Sequence, residues 1–270
     1  MDTKSVTAAN REAWEEAAPI HAKHNQATLI ERFRDPAYID LLDVEVDRLN
    51  ALNVAGKDIA QVCCNNGRET ISIRRLGAAS CTGIDGSQGF VEQARELNAA
   101  AGADCTFVCT DVYDIDASFD AGFDIVVITI GVLSWMPDLD AFFAVLERIM
   151  RPGAALFIHE QHPVLEMMEV GGADDPVAFE ISYFDKTPYV ETDGLDYWGG
   201  ERYEAKPASS FLHRISEVIM AGIGCGLAVE HFDERPEHIS NTWYNIEKQV
   251  DGFPMSYTLV FRKPAESDSP

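Results

Sequence analysis

The sequence has few basic residues and no long apolar run. Its 270 residues include 21 Lys and Arg against 45 Asp and Glu, which gives a net charge of −24. Such a charge repels a phosphate backbone and argues against a nucleic-acid substrate. No apolar stretch approaches the roughly 20 residues that a membrane span needs, and the first residues lack the apolar segment of a signal peptide. We therefore expect a cytoplasmic protein with no membrane partner.

The six cysteines show no paired spacing of the kind that metal ligands have. We expect reduced thiols in the core and no metal site, with a redox role for the adjacent Cys63 and Cys64 as the alternative. The chain also lacks internal repeats. Its length suits one large α/β domain, or a core domain with an added cap.

The most informative stretch lies between residues 58 and 85. Residues 59–64 form a short apolar run that ends at Asn65, Asn66 and Gly67, which is typical of a buried parallel strand followed by a tight turn. The spacing of apolar residues in 68–76 predicts a helix, and residues 81–84 form a second apolar run. The stretch therefore predicts a strand-turn-helix-strand unit.

Asp85 directly follows the second strand of this unit. In an open parallel sheet, ligands bind beyond the carboxyl ends of the strands, and an acid at this position can bind ribose hydroxyls. A dinucleotide-binding turn needs three glycines in a GxGxxG spacing, whereas this turn has only Gly67. A nucleoside ligand without phosphates fits better.

The first strand and its turn resemble those of class I S-adenosylmethionine-dependent methyltransferases. In that family the strand ends in hydrophobic-Asp-hydrophobic-Gly-Cys-Gly-x-Gly, and here the same frame reads QVCCNNG over residues 61–67. Cys64 and Gly67 match the family frame. Gln61 replaces the usual acid, and Cys63 and Asn65 replace two glycines.

Four later motifs extend the resemblance in the expected order. They are Gly83-Ile84-Asp85, Cys109-Thr110-Asp111-Val112, Phe123-Asp124-Ile125-Val126-Val127 and Arg151-Pro152-Gly153-Ala154. The resemblance implies a doubly wound, mostly parallel seven-stranded Rossmann-like sheet with an antiparallel last strand. It also implies S-adenosyl-L-methionine as the cofactor. We place a helical lid at residues 1–54, the methyltransferase domain at 55–263 and a polar tail at 264–270.

The resemblance also assigns cofactor-binding residues. The turn residues Cys64, Asn65, Asn66 and Gly67 would line the methionine part, with Arg68 contacting its carboxylate. Asp85, followed by Gly86, would hold the ribose. Asp111 and Val112 would hold the adenine, although a turn-capping role is the alternative for Asp111. Ile130 ends the fourth strand, where the following loop runs beside the methyl donor in this family.

The N-terminal residues predict two helices. The first starts at Thr7 or Asn10 and runs to about His24, and the family resemblance makes it a lid over the cofactor. On it, Trp14 and His21 either touch the ligands or pack against the core. A second helix over 36–52 has one apolar stripe and is predicted to be structural.

Three histidines are candidates for proton transfer. His159 and His162 lie at the end of the predicted fifth strand, and either can act as a base near neutral pH if the acceptor starts protonated. A third, His213, lies on the first turn of a helix predicted to start at Ser209 or Ser210. Burial in a strand end or exposure at the surface is the structural alternative for each.

Residues 164–208 interrupt the alternation of strands and helices with an acidic, aromatic-rich insertion. Its alternating runs at 179–184 and 202–205 predict short strands that cover the pocket mouth. Its aromatic residues otherwise pack on the body or form a homodimer contact.

We therefore predict methyl transfer from S-adenosyl-L-methionine to a small-molecule acceptor. A nucleoside-binding protein that keeps the fold without transfer chemistry is the first alternative, because the glycine-rich turn is eroded. An NAD-dependent oxidoreductase is the second alternative and lacks the expected turn.

Overall fold

The computed structural model describes residues 2–240 and 242–265. Its strands are β1 (Asp58–Val62), β2 (Ser80–Asp85), β3 (Thr106–Cys109), β4 (Phe123–Ile128), β5 (Met150–Gln161), β6 (Tyr189–Glu191), β7 (Ala208–Ser210), β8 (Ala228–Arg235) and β9 (Ser256–Arg262). Its α-helices are α1 (Thr3–His21), α2 (Ala27–Phe33), α3 (Asp43–Ala51), α4 (Arg68–Arg75), α5 (Gln88–Ala100), α6 (Leu139–Ile149), α7 (Ile215–Gly224) and α8 (Tyr244–Gln249). None of the helices in this part of the chain is long and apolar enough to cross a membrane.

Seven strands form one sheet in the order β3-β2-β1-β4-β5-β9-β8. β9 is antiparallel to both β5 and β8, whereas the other neighbouring strands are parallel. The predicted doubly wound sheet with an antiparallel last strand is therefore confirmed. The chain order reverses between β1 and β4, which opens a crevice at the carboxyl ends of the central strands.

Successive residues of the central strands point into two different cores. Ile59 and Ile125 pack with residues of α4 and α5 on one face of the sheet. Ala60 and Val126 pack with residues of α6 and α7 on the other face. This alternation follows from the two-residue period of a strand. Because both faces are covered by helices, the central strands β1 and β4 are mostly apolar, as parallel strands usually are.

The N-terminal helices differ from the prediction. α1 begins at Thr3, because the Asp2 side chain caps it by accepting from the Ser5 amide. It continues through a π-helical turn at 22–26 into α2. The second predicted helix was too long, since α3 begins only at Asp43. The Arg75 guanidinium binds backbone carbonyls of residues 33, 35 and 38, which holds the preceding segment in an irregular path.

The insertion contains a two-stranded sheet at a position that the sequence did not indicate. β6 and β7 pair in antiparallel register, so the strands predicted at 179–184 and 202–205 were wrong. The helix predicted to start at Ser209 or Ser210 begins at Ile215 instead. Backbone groups of Ser209 bond to the lid residue Asn10 and pair with β6, and this tertiary pairing keeps the segment extended. The boundaries proposed at 54/55, 163/164, 208/209 and 263/264 remain predictions.

Candidate active site

A cavity of about 800 Å³ lies at the carboxyl ends of the central parallel strands. Its floor comes from the turns that follow β1, β2, β3 and β4, and its walls come from α1, the insertion and the segment before α8. This is the crevice expected where the strand order reverses. A volume in this range suits a drug-sized ligand.

The turn after β1 keeps the backbone shape of a glycine-rich loop without its glycines. Cys63 and Asn65 have φ angles of 59° and 50°, and Gly67 has a φ of 73°. Left-handed conformations of this kind normally favour glycine, with Asn next best. Cys63 and Asn65 are the two residues that replace family glycines. Cys63 and Asn65 therefore adopt backbone angles that glycine adopts most easily, although neither residue is glycine.

Asp85 fixes this turn and faces the cavity. One carboxylate oxygen accepts from the Asn65 amide at 2.8 Å, and the other accepts from the Ser87 amide at 2.9 Å. Burial raises the pKa of Asp85, and these amide donors partly oppose that rise. Because each carboxylate oxygen has a further lone pair, Asp85 can still accept from ligand hydroxyls. Gly86 also lines the cavity.

Asp111 combines the two roles considered for it. Its Oδ1 accepts from the Tyr113 amide at 3.0 Å and caps the following short helical turn. Its Oδ2 lies 3.6 Å from Nε of Arg11 on the lid. Asp111, Val112 and Ile130 all line the cavity.

The other predicted cofactor residues fall into two groups. Cys64, Asn65, Asn66 and Arg68 line the cavity, whereas Gly67 lies behind it. A Cβ atom at Gly67 would meet Phe107 at 2.5 Å, so this glycine is required by packing. Arg68 is already paired with Asp40 and Glu69, and its guanidinium lies 5.3 Å from the ring centre of Trp198. Its predicted contact with a methionine carboxylate stays a prediction.

The lid places an aromatic cluster over the cavity. Trp14 lines the cavity and lies 5.2 Å, centre to centre, from Trp135, which also lines it. His21 does not line the cavity. It is fully buried, and its Nε2 lies 2.8 Å from the carbonyl oxygen of Leu195 in the insertion. Of the two lid residues singled out from the sequence, Trp14 therefore contacts the site and His21 holds the insertion.

Two polar contacts fasten the lid to the body. The Asn10 side chain exchanges hydrogen bonds with the backbone of Ser209, at 2.9 and 2.7 Å. The Glu15 carboxylate accepts from the Ser87 hydroxyl at 2.6 Å and from the Gly89 amide at the start of α5. A carboxylate at a helix N-terminus is stabilised by the helix dipole. These contacts fix the lid over the cofactor end of the cavity.

The three predicted catalytic histidines do not line the cavity. His159 is fully buried, with Nδ1 2.9 Å from Glu45 Oε1. His162 caps a short helical turn and contacts Glu234, and His213 contacts the Met136 carbonyl. Burial lowers the pKa of His162 and of His213, and their partners oppose this. Their geometry supports the structural alternative and gives no support to proton transfer by these three rings.

Two acids near the end of β5 were missed. Glu160 is buried, and its carboxylate accepts from the amides of Gly131, Val132 and Leu133 at 2.6–2.9 Å. It therefore holds the loop that leaves β4. Glu166 lies on the turn Pro163–Met167, lines the cavity and is half-buried. Nothing in the local sequence indicates that either acid is buried or lines the cavity.

We define the acceptor wall as the cavity residues from Gln161 onward, except those of the loop 194–198. This loop is left out because Tyr197 contacts Asn65 and Trp198 contacts Arg68, both at the cofactor end. The wall combines two acids with polar and aromatic side chains: Gln161, Glu166, Val170, Tyr189, Glu191, Ser210, Ile239, Ser240, Thr242 and Trp243. These ten residues include no Lys, Arg or His. The wall is therefore suited to a neutral or cationic molecule.

A group of metal-type ligands lies outside the cavity at the junction of the lid and the insertion. Atoms of His24, Asp196 and Glu201 lie within 4.8 Å of one another. Asp196 already accepts three backbone amides of the insertion, and Glu201 pairs with Lys23. These internal bonds account for the cluster as a fastening between lid and insertion.

The seven-stranded sheet with its antiparallel strand β9 has the Rossmann-like architecture of methyltransferases. Residues 59–153 match the family model described as a methyltransferase domain. No curated protein sequence gives a significant match. The resemblance inferred from the sequence motifs is confirmed by this family match and by the fold.

Solved structures show the same fold. An S-adenosylmethionine-dependent methyltransferase from Mesorhizobium loti has 21% identity over 80% of this chain and 96% of its own, with a TM-score of 0.59. Another from Clostridium acetobutylicum has 12% identity, covers 93% and 99% of the two chains and has a TM-score of 0.59. The [4+2]-cyclase SpnF has 16% identity, covers 92% and 96%, and has a TM-score of 0.55. The shared fold therefore does not by itself fix the reaction.

Proposed function

We propose that the protein binds S-adenosyl-L-methionine and transfers its methyl group to a small-molecule acceptor. The observation that carries the proposal is the turn after β1, where Cys63 and Asn65 keep left-handed backbone angles and Asp85 fixes the Asn65 amide. Such an arrangement costs free energy and is maintained where the backbone must approach a ligand. The match to a methyltransferase domain over residues 59–153 supports the same conclusion.

The residues around the cavity fit the parts of the cofactor. Asn65 and Asn66 supply polar groups for the methionine part, and Trp14 of the lid lines the same cavity. Asp85 supplies carboxylate oxygens for the ribose hydroxyls, and Asp111 with Val112 supplies polar groups for the adenine. When bound, the cofactor supplies an electrophilic methyl group on a sulfonium. The contribution of the protein is to orient the acceptor and to exclude water.

The acceptor wall favours a small neutral or cationic molecule. The cavity volume of about 800 Å³ suits a small molecule, and the net charge of −24 disfavours nucleic acid. Assignment of a homodimer and of a cytoplasmic location stays a prediction.

A non-catalytic S-adenosylmethionine-binding protein is the second candidate, favoured by the replacement of two turn glycines by Cys63 and Asn65. Incubation with methyl-labelled S-adenosylmethionine and a panel of small phenols, alcohols and amines distinguishes the two. We expect labelled product from at least one acceptor class. Tight binding of S-adenosylhomocysteine without transfer to any member of the panel would favour the second candidate.

A further inference from the structure

Glu166 is a cavity carboxyl group without a structural partner. It lies on the turn after β5, is half-buried and lines the acceptor wall. The structure gives its carboxyl group no hydrogen bond and no ion pair with any residue of 2–240 or 242–265. Most partly buried acids are paired or capped, as Glu45, Glu69 and Glu160 are here. The carboxyl group of Glu166 therefore makes no hydrogen bond or ion pair that would stabilise the described part of the fold.

Glu166 shares the cavity with the loop that leaves β4. Glu160 holds this loop through three backbone amides, and the Glu160 carboxylate is close enough to Glu166 to affect its titration. In sheets of this topology, the ligand lies against the turns at the carboxyl ends of the central strands. Glu166 therefore lines the same cavity as Asp85, Asp111 and the loop that leaves β4.

The pKa of Glu166 is suited to proton transfer near neutral pH. Burial, with a smaller contribution from the neighbouring Glu160 carboxylate, raises the pKa of Glu166 to about 7. A general base is most effective when its pKa lies near the working pH. The wall around it has a second acid, Glu191, and no basic side chain. An anionic acceptor would be repelled here, whereas a hydroxyl or an ammonium group would be accepted.

On the basis of the proposed function, we propose that Glu166 is the general base that takes a proton from a hydroxyl or amine acceptor carrying no net negative charge. The Glu166 carboxylate receives the proton as the acceptor's oxygen or nitrogen uses an electron pair to bond the methyl carbon. The carbon–sulfur bond breaks with its electron pair remaining on sulfur. The products are the methylated acceptor, S-adenosylhomocysteine and protonated Glu166, which then loses its proton to water.

The test needs no identified acceptor. Sinefungin resembles S-adenosylmethionine, but a carbon that carries an amine replaces the sulfonium sulfur and its methyl group. Its ammonium therefore probes the space that the transferred methyl would occupy. Calorimetric titrations with sinefungin and with S-adenosylhomocysteine compare the wild type, Glu166→Gln and Glu169→Gln. Glu169 is an exposed acid three residues away that does not line the cavity, and its variant is the matched control.

We expect Glu166→Gln to weaken sinefungin binding about tenfold or more at pH 8 and to leave S-adenosylhomocysteine binding within about twofold. In the wild type, the preference for sinefungin should increase as the pH rises through about 7, because the carboxylate form binds the ammonium. Glu169→Gln should behave as wild type. Equal sinefungin affinity in wild type and Glu166→Gln, with S-adenosylhomocysteine still bound, would overturn the inference. If the wild type did not bind S-adenosylhomocysteine, the proposed function would be overturned instead.

Discussion

Replacing Gly67 by Ala tests whether the turn after β1 is fixed by packing as well as by backbone angle. Gly67 has a φ of 73°, and an added Cβ would lie 2.5 Å from a ring carbon of Phe107 and 2.8 Å from the Ala94 Cβ. The left-handed angle costs Ala about 1–2 kcal/mol, reduced by about 0.4–1 kcal/mol because Ala also restricts the unfolded chain. The overlap with a packed core adds about 1–3 kcal/mol. We expect a total loss of about 1–5 kcal/mol.

Gly56 provides the matched control, since its φ is 74° and an added Cβ would meet no atom within 4 Å. Gly56→Ala should therefore cost only the backbone contribution, about 1 kcal/mol. Urea unfolding followed by tryptophan fluorescence measures both variants against the wild type. If Gly67→Ala lost no more stability than Gly56→Ala, the close packing of the turn against Phe107 would be refuted.

Two further changes have defined outcomes. The folded state keeps the Glu166 proton up to about pH 7, whereas the unfolded chain releases it near pH 4.5, so wild-type stability falls as the pH rises through this window. The loss is at most about 3 kcal/mol. The wild type should therefore lose up to about 3 kcal/mol more of its unfolding free energy between about pH 5 and pH 8 than Glu166→Gln does. The same pH dependence in both proteins would contradict the raised pKa. Asn10→Ala removes two hydrogen bonds to Ser209 and should cost about 1–3 kcal/mol. Amide hydrogen exchange should then be faster than in the wild type in α1 and β7 but unchanged in the central strands. An equal increase in all of these elements would refute a local lid contact.

The strands β1 and β2 were predictable because each contains a short apolar run followed by turn residues. Residues 59–64 and 81–84 carry this signal locally, and burial on both faces requires it. The strands of the insertion carry no comparable signal. β6 and β7 pair because Ser209 meets Asn10 of the distant α1, and such a contact does not follow from the pattern of either segment alone.

The candidate site also has a part that the sequence predicted and a part that it did not. The cofactor end was predictable because its residues follow strands directly, and strand ends of a parallel sheet share one edge. Asp85 was found by this rule, whereas Asp111 and the turn from Cys64 to Asn66 came from the family resemblance, and all of them line the cavity. The rule failed for the histidines, since His159 points into the core and His162 is used to cap a turn.

Glu166 was missed for a related reason. Its sequence context, in the segment after β5, looks like that of any surface acid. It shares the cavity with Tyr189 of the insertion and Trp243 of the segment before α8, which are distant from it in sequence. Raised pKa values come from desolvation by such distant residues, so they appear only once the chain is folded.

The most direct test of the central claim is calorimetric titration of S-adenosylhomocysteine into the wild type and Asp85→Ala, with NAD as the control ligand. Circular dichroism and urea unfolding of both proteins establish that the variant remains folded. We expect tight S-adenosylhomocysteine binding by the wild type, loss of that binding by Asp85→Ala and no binding of NAD. Failure of the wild type to bind S-adenosylhomocysteine would contradict the assignment of this cavity as a site for S-adenosylmethionine.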